Sequence, residues 1–297
     1  MTDQTTSDSR AGEFGAGDLA ARVTSLKAPM THDEMAAAVA RRGPIYFMEY
    51  WLLQARAYFG SIVGVGTLSP LLYLLAMGVG LGVVIDQASG QDLGMPYLHF
   101  VAPALLLSAC MQAASEENTF TIMAGFKWRF TYFGPQVTPL RPEQMAAGHV
   151  MGVSLRYLFT GTIYLAVLAL FGAIPRASGV LLLPISVLAA SAVGLPIMAW
   201  AATLTEDKGQ FALLNRFVLM PMTLFSGTFF PLETLPGFLQ PIGWVSPLWH
   251  AVQLGRQAAV GLVEPLWLTV VHLGYLVALC VGGWLFARRQ YHRRLSG

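Results

Sequence analysis

Six apolar stretches of membrane length, at 59–85, 98–122, 148–174, 180–204, 211–230 and 266–287, dominate this chain. About 20 residues rising 1.5 Å each cross the ~30 Å hydrocarbon core of a bilayer, so each stretch predicts a transmembrane helix. The expected fold is all-α and integral to a membrane, with six transmembrane helices. Composition agrees: 55% of the 297 residues are hydrophobic and 11% are charged, against about 25% charged in ordinary soluble domains.

Around this core the chain divides into three parts. Residues 1–43 are polar, with Ser, Thr, Asp and Gly dominating the first 18, and read as a disordered cytoplasmic tail. No short apolar run with a small-residue cleavage site follows a basic start, so the tail is expected to stay inside. Residues 44–290 form the transmembrane domain and 291–297 a basic cytoplasmic end. The aromatic stretch 44–56 places Glu49 and Arg56 seven apart on one helical face, which suits an amphipathic elbow helix lying in the interface. Pro70, Pro103, Pro184, Pro196 and Pro221 fall within spans and predict kinks. Cys110 and Cys280 sit far apart in apolar segments, as small buried hydrophobes do, so neither a disulfide framework nor a metal site is expected.

Lysine and arginine set the orientation, because cytoplasmic flanks carry their excess. Arg41, Arg42, Arg56, Lys127, Arg129, Arg141, Lys208, Arg216, Arg288, Arg289, Arg293 and Arg294 fall on one side, against Arg176 and Arg256 on the other. Both termini are thus expected in the cytoplasm, with the connections 86–97 and 231–265 outside. The basic run 288–294 reads as an anchor on membrane lipids at the inner leaflet rather than as a nucleic-acid site.

The connection before the last span is unusual. Pro231, Pro236, Pro241 and Pro247 forbid one continuous helix, yet Phe229, Phe230, Leu232, Leu235, Phe238, Trp244 and Trp249 make it too apolar for an aqueous loop. Broken backbone at membrane depth survives only where protein or a water-filled cavity satisfies it. A re-entrant helical hairpin over 231–250 follows.

Polar residues inside the spans are few. Glu116 and Glu117 lie roughly 27 Å along the second span, near its inner border. They are either solvated from the cytoplasm or paired with Arg156 or Arg216, and an intramembrane carboxylate is also a functional candidate. His149 and Arg156, seven apart, share one face of the third span, and with the two glutamates they form a candidate interhelical polar network. His272 stands isolated in the last span and reads as a satisfied core histidine. The loop at 126–148 combines Lys127, Arg129 and Arg141 with aromatic residues, and a new helix is expected at Pro142, where Glu143 favours the positive helix end.

This loop and the hairpin together resemble the type 2 ATP-binding-cassette export permeases, and within them most nearly those that export nodulation lipo-oligosaccharides and daunorubicin. The likeness rests on the run from Phe100 through Pro103, on Glu117, on Thr138-Pro139-Leu140 with Gly148, on Ser226-Gly-Thr-Phe-Phe-Pro231 and on Pro247-Leu-Trp-His250. It covers about 44–290, and the hairpin motif is its most specific part. The resemblance implies a permease subunit paired with a second copy or a paralogous permease. Its inside loop (Lys127, Arg129, Thr138, Pro139, Leu140, Arg141 and Glu143) would dock on a separate cytoplasmic ATPase that holds ATP and magnesium. Glu116, Glu117, His149 and Arg156 would border the translocation pathway. The hairpin residues Gly227, Phe229, Phe230, Pro231, Pro247, Trp249 and His250 would cap its outer end. The chain itself would need no cofactor.

The residues agree that this chain is not its own motor. Its only lysines are Lys27, Lys127 and Lys208, none preceded by glycine, so no phosphate-binding loop exists. The rival reading is an intramembrane lipid-modifying enzyme using Glu116, Glu117, His149 and Arg156. It would need clustered carboxylates or a repeated histidine motif, and adjacent Glu116 and Glu117 point about 100° apart on a helix. An energy-independent channel or scaffold leaves the basic loop without a role. Few interior charges and a Phe- and Trp-rich hairpin favour an amphiphilic substrate, a glycolipid or lipo-oligosaccharide or a hydrophobic drug. Abundant Ala, Gly, Val and Arg with three lysines fit a bacterial source and its inner membrane.

Overall fold

The computed structural model describes residues 31–57, 71–88 and 94–296, together with Gly60, Gly64 and Leu68. Regular structure among them is helical throughout. We number the helices α1 (His32–Arg56), α2 (Leu71–Gln87), α3 (Tyr97–Trp128), α4 (Pro142–Leu170), α5 (Leu182–Ala201), α6 (Gln210–Phe225), α7 (Gln240–Val245), α8 (Pro247–Ala259) and α9 (Leu266–Ser296). A 3-10 turn, Ala177–Leu181, leads into α5.

The helices α3, α4 and α9, with α5 and its leading turn, are long and apolar enough to cross a membrane, while α2 and α6 are shorter apolar helices. The six expected spans therefore correspond to four full-length helices and two shorter ones. Part of the first expected span, residues 59–70 other than Gly60, Gly64 and Leu68, lies outside the described residues, as do 1–30 of the expected tail and 89–93 of the connection after α2. The helix expected from 44 begins earlier. At its start Thr31 N–H donates to Glu34 Oε2 (2.9 Å) and Glu34 N–H donates to Thr31 Oγ1 (3.3 Å). This is a capping box that carries the helix from His32 through Pro44, so the last dozen residues of the expected tail are helical. The chain divides after Ala38 into two units, and the contacts below lie within Val39–Gly297.

Position in the bundle follows from side-chain size. In its most apolar window α3 is 72% buried, against 22% for α9. The inward face of α5 is small, with Ala189, Ala190, Ala192, Val193 and Gly194 buried, so α3 and α9 both pack closely on it. On α9 the apolar residues Val270, Leu273, Val277, Val281 and Leu285 are exposed along one stripe.

Two side chains bend α3. Asn118 Nδ2 donates to Ala114 O (2.8 Å) and Thr119 Oγ1 donates to Ser115 O (2.8 Å). Such back-bonding competes with the helical ladder, and the helix breaks at Thr119 (φ −102, ψ −94). Wide π-turns follow at Ala124–Trp128 and recur at Leu74–Leu81 and Asn215–Leu219. Single-turn π segments cluster at functional sites.

The closest approach of α9 to α5 depends on Gly283. A Cβ there would lie 2.7 Å from Pro196 Cδ and 2.8 Å from Leu195 Cβ. Gly283→Ala should cost about 1–3 kcal/mol, read as a lower thermal unfolding midpoint in detergent, while Gly274→Ala, which meets open space, leaves the midpoint unchanged or higher.

Candidate functional site

A cavity of about 990 Å³ opens between α1, α3, α4, α6 and the loop after α3. Ser108, Gln112, Glu116 and Phe120 succeed one another at helical spacing down α3 and line one wall. Opposite them stand rings from α1 (Phe47, Tyr50, Trp51) and from α4 (Tyr164). Two of the three π-turns border it, through Ala124 and Gly125 and through Asn215 and Leu219, while Tyr73 reaches it from just before the third. The wider turns displace side chains from the regular helical row, and this is how apolar helices open a hollow without losing their backbone bonds.

The four polar residues expected here all line this cavity, though not as one network. Arg156 of α4 forms an ion pair with Glu117 of α3. The two side chains are only 22% and 9% exposed, which makes each the other's means of surviving there. Glu116, one step round the helix, is exposed to the cavity and lies within electrostatic reach of the same guanidinium. Arg216 does not enter the pairing seen for Glu117. His149 turns elsewhere, its Nδ1 3.3 Å from Tyr132 Oη and its ring edge-on to Trp51. The single network expected on the face of α4 is thus two, His149 with Tyr132 of the loop and Arg156 with Glu117 of α3. Burial pushes the Tyr132 phenol above its ordinary value, so it serves as a neutral hydrogen-bonding group. His149 Nε2, Arg156 Nε and Thr228 Oγ1 are buried without a hydrogen-bond partner, and all three residues line the cavity.

The loop between α3 and α4 is held from both sides. Thr138 Oγ1 donates to Pro135 O (2.5 Å) and accepts from Leu140 N–H (3.4 Å), shaping the turn before Pro139. Pro142 opens α4 as expected, and Gln144 Oε1 accepts from Arg141 N–H (3.0 Å) while its Nε2 donates to Val39 O (3.0 Å) of α1. Glu143 Oε1 meets His292 Nδ1 of α9 at 2.9 Å. Lys127 lies within the π-turn, next to its end at Trp128, and Arg129 lines the cavity. Leu140 packs against a second apolar cluster around Tyr132 and Tyr291. Trp128, Phe130 and Val137 are exposed, three apolar side chains beside the basic ones that spacing alone had not singled out.

At the other end of α3 the chain leaves α6 and turns through Gly227 at φ +71, a left-handed conformation that glycine adopts freely. Ser226 Oγ and Ser246 Oγ are hydrogen-bonded at 2.6 Å, closing the loop on itself. Ser246 caps α8, accepting from Leu248 N–H (3.2 Å), and Pro247 takes the first helical position. Phe229 lines the cavity, and its carbonyl accepts from Tyr97 Oη (3.0 Å). Phe230 and Pro231 carry the chain into the short turn Leu232–Thr234. Trp249 packs edge-on against both His250 and His272. The prolines interrupt the segment as expected, and the stretch 231–250 holds a 3-10 turn, α7 and only the first turn of α8, which runs on to Ala259.

Two residues read otherwise from sequence belong here. Arg256, counted there only as a charge, is 4% exposed and donates to Phe100 O (3.1 Å) and Gly227 O (2.7 Å) with its guanidinium 3.6 Å over the Phe100 ring. It ties α8 to α3 and to the Gly227 turn. His272 is not isolated, since its Nδ1 lies 2.8 Å from His250 Nδ1. No spacing joins residues 22 apart across a loop, so the pair was not legible.

Comparison with known proteins places these features. The family model for the ABC-2 type transporter matches residues 49–259. Nodulation protein J of Rhizobium leguminosarum bv. viciae is 26% identical over 88% of this chain and 99% of its own length. Nodulation protein J of Rhizobium meliloti is 25% identical over 82% of this chain and 90% of its own. The inner membrane transport permease YadH of Escherichia coli K12 is 27% identical over 73% of this chain and 83% of its own.

The Glu117–Arg156 pair makes a testable statement. Removing one partner leaves a charge stranded at low dielectric, so Glu117→Ala or Arg156→Ala should each cost about 3 kcal/mol. The double variant should cost less than the sum of the two, measured as a double-mutant cycle on detergent-solubilised unfolding.

Proposed function

The chain belongs to the ABC-2 type transporter family, and on that premise we propose that it is the permease subunit of an ATP-driven exporter of amphiphiles in a bacterial inner membrane. The observation that carries this reading is the cavity. It offers aromatic walls to an apolar moiety and, on one row of α3, hydroxyl, amide and carboxylate groups to a polar one. Its three unpartnered polar atoms, His149 Nε2, Arg156 Nε and Thr228 Oγ1, are groups that a polar headgroup can satisfy. A glycolipid or lipo-oligosaccharide fits this division, and so does a hydrophobic drug with a polar end.

The same reading gives each end of the bundle a task. Both termini lie in the cytoplasm, in line with the positive-inside distribution. Lys127, Arg129 and Arg141, with exposed Trp128, Phe130 and Val137, dock on the ATPase, which holds the nucleotide and magnesium. Gly227, Phe229, Phe230, Pro231, Pro247, Trp249 and His250 form the re-entrant hairpin that caps the pathway outside. A second copy or a paralogous permease completes the pathway. Of the four groups that the enzyme reading named, Glu117 is committed to Arg156 and His149 to Tyr132, which leaves that reading less support.

Gentle extraction from the native membrane followed by mass spectrometry tests the reading, with a nucleotide-binding subunit expected in the complex. Reproducible recovery of the chain alone would count against it. Reversing two loop charges with Arg129→Glu and Arg141→Glu should weaken ATPase retention by about tenfold or more while membrane insertion stays normal. Undiminished ATPase capture by that variant would remove the loop from the docking surface.

A further inference from the structure

At the hairpin end of the bundle three titratable side chains touch in a row. His250 Nε2 lies 3.0 Å from Trp244 O. His250 Nδ1 lies 2.8 Å from His272 Nδ1. His272 Nε2, buried and without an aligned hydrogen-bond partner, faces Glu264 Oε2 at 3.3 Å. Neither histidine is more than 5% exposed, and the Glu264 side chain, at 12%, is the row's outlet to solvent.

Each contact needs a proton. A carbonyl only accepts, so His250 Nε2 must carry hydrogen. The two Nδ1 atoms bond only if one of them is protonated. His272 Nε2 and the carboxylate, both acceptors otherwise, attract only with a proton between them. Three contacts thus require three protons, whereas two neutral imidazoles and a carboxylate carry two. We propose that His250, His272 and Glu264 form a proton-binding site that fastens the hairpin helix α8 to α9, and that loss of its one additional proton releases the hairpin.

The surroundings favour holding that proton as a shared unit rather than as a free charge. Burial raises the Glu264 carboxyl above its ordinary value, against the hydrogen bond from Gln257, with Glu233 adding to the shift and Arg256 opposing it. Burial lowers the His250 imidazole to about 4, which leaves the additional proton to the His272–Glu264 contact. From α9, the Tyr275 ring stacks on His250 at 4.2 Å and its hydroxyl donates to Val245 O. Gln257 Nε2 donates to Glu264 Oε2 (2.7 Å) and Thr269 Oγ1 donates to Gln257 Oε1 (3.0 Å), so the carboxylate is positioned from both helices.

The sign follows from linkage. For the hairpin to be released as proposed, the closed site must keep its additional proton above the ordinary histidine value of about 6.5, and in that range the closed hairpin holds one proton more than the open one. Opening should therefore become about tenfold more favourable per pH unit across that window. Hydrogen–deuterium exchange of the full-length protein in detergent, corrected for intrinsic rates, reads this directly at Pro247–Ala259. Protection there should fall along that slope as pH rises. Glu264→Gln should abolish the dependence, because a flipped Gln257 lets the new amide donate to a neutral His272. Should Glu264→Gln not fold, His272→Gln serves the same comparison. Protection that stays flat with pH in the unaltered protein overturns the proposal, as does an equal fall in the variant. Neither outcome bears on whether the chain transports, since the readout needs no substrate, ATPase or membrane potential.

Discussion

Lipid offers no hydrogen bonds, and every polar group that this chain carries to membrane depth must find its partner within the protein. The Glu117–Arg156 pair is the plainest instance, with two charges of opposite sign on neighbouring helices at a depth where neither would be stable alone. The same constraint accounts for Asn118, which donates both to its own helix at Ala114 O and across to Tyr157 Oη (2.7 Å). It accounts for Arg256, whose cation is spread over two carbonyls and a ring rather than left to water. These bonds are also what position α3, α4 and α8 against one another.

Where the constraint is relaxed, the structure opens. The cavity collects π-turns, a polar row on α3 and unpartnered polar atoms, features that a packed apolar core excludes. Aromatic side chains keep the remaining wall dry enough to receive an apolar moiety. One hollow therefore presents two chemistries, and the amphiphilic substrate proposed above rests on that division. The loop after α3 closes one end of the hollow and presents basic and aromatic side chains beyond it, so the binding space and the proposed docking surface share the residues around Arg129.

Much of this was legible in particular residues. Pro142 marked the start of α4 to the residue, and the prolines from Pro231 to Pro247 foretold a broken segment that folds as α7 and α8. Local chemistry suffices there, because a missing N–H acts within its own turn. The capping box of Thr31 and Glu34 was equally local, and it extends α1 past the boundary drawn at Pro44. Glu116, Glu117, His149 and Arg156 were singled out as a candidate polar network from their rarity in apolar helices, and all four line the cavity, but the division between Arg156 with Glu117 and His149 with Tyr132 was not legible. The kink at Thr119 and the fold of the following loop decide it, and both act between helices.

By itself the sequence determined that the chain belongs in a membrane, that it is helical, and where several of its helices start. Lipid imposes length and polarity residue by residue, and a capping side chain or a proline acts within one turn. Only the tertiary structure decided which polar groups meet. His250 and His272 approach within 2.8 Å because α8 and α9 cross at that level, and Arg256 reaches Phe100 across 156 residues of chain. Such encounters depend on helix crossing angles, kinks and close approaches at small residues, none of which any stretch of sequence carries alone.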